Sequence, residues 1–101
     1  MISVITVSEL WHGVHRANGD VLRIRREAIV EDALTEVEPI PITAEVARIH
    51  ARIWAQLEAA GSGIGAHDLW IAATALTHGL QVATTNRREF ERVPGLDVLA
   101  L

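Results

Sequence analysis

Three acidic residues stand where an acid is awkward unless it has work to do: Glu9, Asp68 and Glu89. Asp68 lies within the stretch from Gly63 to Ala75, at the mouth of a helix whose other positions are mostly small or apolar. A carboxylate there suits the helix dipole and is badly placed for burial, so it either caps the helix or holds something. Glu9 ends Thr6-Val-Ser-Glu9, a capping-box pattern, and Glu89 stands three residues after Asn86 in the same arrangement. Taken singly, each acid has a structural reading as a cap or a dipole partner, the dipole alone contributing about 0.3–1 kcal/mol. Taken together they admit a second reading, a shared cation.

That reading depends on the elements that position them. Met1 to Thr6 is short, β-branched and apolar, which predicts a buried strand, and Thr6 then opens a helix to about Val14. After a turn at Asn18-Gly19-Asp20, Val21 to Leu34 is a charged helix. Its apolar face is either Val21, Ile24 and Ala28 or Leu22, Ile29 and Ala33. Val37 to Ile42, broken by Pro39 and Pro41, suits an edge strand or an extended connector. Thr43 caps a helix whose Ile42, Val46, Ile49, Ile53 and Leu57 recur at helical spacing. Gly61-Ser-Gly-Ile-Gly65 is a flexible loop able to approach a ligand closely, and the Asp68 helix then runs to Gly79. Leu80 to Thr84 is a second strand, Asn86 caps a short helix, and Leu96 to Leu99 is a last strand. Strands alternating with helices predict an α/β fold with a parallel sheet covered on both faces, in one domain over residues 1–101.

In such a sheet every strand runs to one rim. Glu9 follows the strand ending at Thr6, Glu89 follows the one ending at Thr84, and the Asp68 helix starts at the same rim. Carboxylates converging there repel one another unless protonated or bridged by a cation. Oxygen ligands without His or Cys favour Mg²⁺ or Mn²⁺ over zinc. Arg87, Arg88 and Arg92 lie beside this rim and suit phosphate, although exposed arginines on a short helix are commonplace. His67 adjoins Asp68 as a cap, a surface residue or an assistant. His12, His15, His50 and His78 share no ligand spacing and read as structural or exposed, and Trp11, Trp54 and Trp70 as core or partner interface.

Composition sets the outer limits. Half of the 101 residues are apolar, enough for a core, and there is no cysteine, so neither disulfides nor thiolate metal sites. No apolar run is long enough to span a bilayer and the N-terminus lacks a secretory layout, which predicts a cytoplasmic protein without a membrane partner. A net charge of −4 disfavours unspecific adhesion to nucleic acid, but a bound cation would reverse the local sign.

On three segments the chain resembles the PIN-domain ribonucleases, specifically VapC-type toxins of bacterial toxin–antitoxin pairs. They are ISVITVSELWHGV, then PITAEVARIHARIWAQLEAAG, then IGAHDLWIAATALTHGLQVATTNRREFERVPGLDVL, nearly the whole chain in the family's order. The resemblance implies a PIN-like three-layer fold, a central parallel sheet flanked by helices. It implies that Glu9 and Asp68 are metal ligands, that Thr84 and Asn86 line the site, and that Glu89 stands where the family places a further acid, commonly Asp. It also implies Mg²⁺- or Mn²⁺-dependent RNA cleavage, a VapB-type antitoxin and a homodimer. One departure is expected: the family's first strand, which ends in an Asp ligand, has no counterpart before Met1. A misplaced start, a second polypeptide supplying that strand, or a degenerate fragment would each account for this, and the rival expectation is a catalytically inactive PIN fragment that binds antitoxin or dimerises.

Overall fold

A computed structural model describes residues 1–101, which divide into two compact units, Met1–Pro41 and Ile42–Leu101. In the first, α1 (Val4–His15) is followed by α2 (Asp20–Leu34). The strand expected over Met1 to Thr6 is not formed. Ser3 instead caps α1, its hydroxyl accepting the Thr6 amide at 3.2 Å, and only Ser3 itself pairs in parallel with Ile40 as an isolated bridge. Val4, Ile5, Thr6 and Val7 are β-formers, yet all four are at least half-buried within the helix, so packing overrides propensity. Ile40 exchanges two backbone hydrogen bonds, with Ile2 at 2.8 Å and Val4 at 3.0 Å, which leaves the Val37–Ile42 segment an extended connector with one bridging residue.

Neither apolar stripe expected for α2 is the buried one. Val30 is the residue that α2 buries, with Arg23, Arg26 and Leu34 flanking it half-exposed, while Val21, Ile24 and Ile29 face solvent. Arg26 donates to the Gly13 carbonyl at 2.9 Å, so the guanidinium fastens α2 to the end of α1 and takes the place of an apolar contact.

The second unit follows its sequence closely. Thr43 caps α3 (Ala44–Ala60) by accepting the Val46 amide at 3.3 Å, and Gly61 ends it in the left-handed conformation at φ 66°. Gly79, at φ 64°, ends α4 (Ala66–His78) in the same way. The two helices pack through Val46, Ile53 and Leu57 on one side and Leu69, Ala72, Ala73 and Ala75 on the other, all buried. Full burial of Ile53 alone contributes about 1.5–3 kcal/mol. Beyond α4, β1 (Val82–Thr84) pairs in parallel with β2 (Val98–Ala100), Val82 opposite Val98 and Thr84 opposite Ala100. Both strands are shorter than expected, and β2 starts two residues later than Leu96. The period of two buries Val82 and leaves Ala83 and Leu99 exposed. Between the strands, α5 (Arg87–Phe90) is anchored on the core by Phe90 and Val93. No helix is long and apolar enough to cross a membrane.

Candidate active site

The chemistry gathers in the second unit, where the loop leaving α3 meets the segment leaving β1. Gly65 is the N-cap of α4 but has no side chain to satisfy the first helical turn. Asp68, half-buried, stands in that turn. On the other side Thr84 ends β1, and its hydroxyl accepts the Asn86 amide at 2.9 Å. This turn presents the Asn86 side chain to Glu89, whose Oε2 accepts from Asn86 Nδ2. The other carboxylate oxygen, Oε1, accepts the Gly65 amide at 2.5 Å. Glu89 therefore joins α5 to the start of α4.

That arrangement corrects the capping-box reading at Asn86. Asn86 is the N-cap by position, yet its side chain caps nothing, and Glu89 reaches across to Gly65 and not back to the Asn86 amide. The other box is corrected too. Ser3 starts the helix, so Glu9 lies in the middle of α1, exposed, in the first unit. Asp68, Thr84, Asn86 and Glu89 are brought together by the second unit alone.

Several groups hold the Glu89 carboxyl below the usual glutamate range. The Gly65 amide contributes most, then the Asn86 amide, a hydrogen bond shared with Asp68, and the Arg92 charge, all against a desolvation that pushes upward. Asp68 and Glu89 thus lie within hydrogen-bonding reach of each other. A Cβ built on Gly65 would sit 3.4 Å from Glu89 Oε1 and 3.8 Å from Asp68 Oδ2, so this glycine lies directly against both acids.

Two carboxyls this close require a proton or a cation between them. The donor set around them is oxygen and amide, without His or Cys, and this fits a hard divalent cation. Mg²⁺ is commonly held by one or two carboxylates, with waters and substrate phosphate completing its shell. No third acidic or histidine side chain joins the pair in a metal-binding group.

Of the neighbouring arginines, Arg87 is exposed and ion-paired with Glu91, and Arg88 is exposed. Arg92 donates to the Gly63 carbonyl at 2.9 Å and so fixes the loop from which Gly65 projects its amide. His67 is exposed. Sequence reasoning missed the Gly65 amide and the bracing role of Arg92. The signal was present in the Gly61–Gly65 loop, read as a place for close approach; what approaches it is a carboxylate of the same chain.

A family model described as the PIN domain matches residues 1–96. The chain is 39% identical over 100 residues to "Ribonuclease VapC1" of Rickettsia felis, covering 99% of this chain and 75% of that protein. It is 35% identical over 97 residues to "tRNA(fMet)-specific endonuclease VapC" of Salmonella typhimurium, covering 96% and 71%. Among solved structures, VapBC2 from Rickettsia felis bound to a DNA fragment from its promoter matches with a TM-score of 0.90 at 28% identity, over 99% of this chain and 73% of that one. DNA-bound VapBC from Salmonella typhimurium matches with a TM-score of 0.90 at 34% identity, over 98% and 73%.

Proposed function

The chain belongs to the PIN-domain family, and from that premise we propose that it is a divalent-metal-dependent endoribonuclease toxin of the VapC type. It cleaves RNA phosphodiester bonds in the cytoplasm, is neutralised by a VapB-type antitoxin and works as a homodimer, its PIN domain spanning both compact units. Ribonuclease names among its relatives and VapBC assemblies among its structural neighbours support the activity and the partner. The observation that carries the reading is the meeting of Asp68 and Glu89 over Gly65.

Asp68 and Glu89 would hold the cation, Mg²⁺ or Mn²⁺. Bound there, a divalent cation supplies charge against the phosphate and makes water a stronger acid. Asn86 fixes one oxygen of Glu89 by hydrogen bonding and the Gly65 amide fixes the other, which leaves each oxygen a remaining lone pair for the cation. Thr84 holds the turn that places Asn86. Arg87 and Arg88, both exposed, supply positive charge for the RNA backbone.

Asp68→Asn should lower RNA cleavage by about a hundredfold or more while leaving the circular dichroism spectrum unchanged. Undiminished cleavage by that variant would remove Asp68 from the reaction. The rival, an inactive PIN module that engages antitoxin or a second copy, draws on one observation: the acids of the metal-binding pair are not joined by a third. Calorimetric titration with Mn²⁺ separates the two, since only the nuclease binds metal in a manner that Asp68→Asn abolishes.

A further inference from the structure

His50 is nine-tenths buried in the second unit and makes no hydrogen bond. Its ring stacks on Trp70, with centroids 3.5 Å apart and planes 14° from parallel, and meets the edge of Trp54 at 5.8 Å. All three rings line a cavity of about 400 Å³, within the range of roughly 300–1,000 Å³ typical of ligand sites. No buried side-chain nitrogen or oxygen is left without a partner, so the ring nitrogens of His50, which bond to no protein atom, stay open to the cavity that the ring lines. Burial lowers its tendency to take a proton, so the neutral ring presents one donor and one acceptor.

We propose that this cavity receives an unpaired nucleobase of the RNA whose backbone lies at Asp68 and Glu89. This inference rests on the nuclease reading above. The occupant must be planar and largely apolar, with an edge that can both give and accept hydrogen bonds, and a nucleobase has those properties. Trp54 is 53% exposed, which leaves its indole available for stacking at the mouth. Leu57 and Leu69 supply apolar wall, and Glu58 places a carboxylate at the lining that accepts from an exocyclic amine and repels phosphate. The base enters; the backbone stays outside.

The backbone has a short path to the acids. Gly63, Ile64 and Ala66 line the cavity, and Gly65 between them gives its amide to Glu89. Arg92 fixes this loop through the Gly63 carbonyl. One chain segment therefore forms a wall of the base cavity and an edge of the carboxylate site.

Short homopolymeric RNAs, titrated into the full chain with EDTA present so that nothing is cut, test the idea by tryptophan fluorescence and anisotropy. Trp54→Ala should weaken binding about tenfold and Trp54→Phe should restore most of it, stacking being worth about 1–3 kcal/mol per base. His50→Phe keeps the stack and removes the polar edge, so it should flatten preference among the four homopolymers. An abasic oligonucleotide should bind parent and Trp54→Ala alike. Unchanged RNA affinity in both Trp54→Ala and His50→Phe overturns the inference. So does a loss of self-association or antitoxin binding in those variants with RNA affinity intact, since the cavity would then belong to a protein interface. If the parent cleaves no RNA with metal yet Trp54 still governs binding, the nuclease reading falls and the base site stands.

Discussion

The acid that ends Thr6-Val-Ser-Glu9 stands in solvent along the flank of α1, whereas the acid that ends Asn86-Arg-Arg-Glu89 is gripped from two sides. Both segments carry the same four-residue pattern, and neither closes on itself as a capping box. In the first, Ser3 takes the capping task three residues early, and the helix simply runs through Glu9. In the second, the helix is a single turn, too short to compete for its own acid, and the unfilled amide of Gly65 is the stronger attraction. A local motif fixes which atoms are available. The neighbourhood decides which of them meet.

The sharpest way to break this contrast is at Glu89. Glu89→Gln keeps the size but removes the charge and turns one of the two accepting oxygens into a donor, and it should lower both divalent-metal affinity and RNA cleavage by about 10–100-fold. Calorimetry and a cleavage assay on the same preparation would show it. A variant as active as the parent would make Glu89 a brace for the loop and nothing more.

At the first motif the contrast concerns stability. Ser3→Ala should cost about 1 kcal/mol in urea denaturation, and Thr6→Ala no more than ~0.5 kcal/mol. The opposite ranking would return the cap to Thr6 and the acid to the first turn of its helix.

The smallest effect on stability is expected at Gly65. It has φ −57° and ψ 147°, a conformation that alanine adopts readily, but it is also the N-cap of α4, where alanine is disfavoured. Gly65→Ala should therefore change stability by no more than ~1 kcal/mol, the entropic gain offset by the poorer cap. The added methyl would stand in van der Waals contact with both acids, so metal affinity should fall by about tenfold with the melting temperature little changed. Undiminished metal affinity would mean that the glycine is not there for the cation.

Legibility in the sequence tracked how local the physics was. Thr43, Gly61 and Gly79 act within a turn of themselves, and the ends of α3 and α4 were readable from them. Met1 to Thr6 reads as a strand from its β-branched composition, yet the cap at Ser3, equally local, starts a helix there. The buried face of α2 escaped the apolar pattern because arginine stems flank Val30. At the site, the spacing of Asp68, Asn86 and Glu89 singled out residues that the second unit brings together. The bond from Gly65 to Glu89 spans 24 positions, and no local rule reaches that far.

Ala72 and Ala73 are wholly enclosed between α4 and its surroundings. Their smallness has a consequence for how such a protein can diversify. Any larger residue there would wedge the helix that carries Asp68, moving the acid relative to Glu89 long before the chain failed to fold. Side-chain size on this inner seam is therefore tied to the placing of an acid little more than one helical turn away.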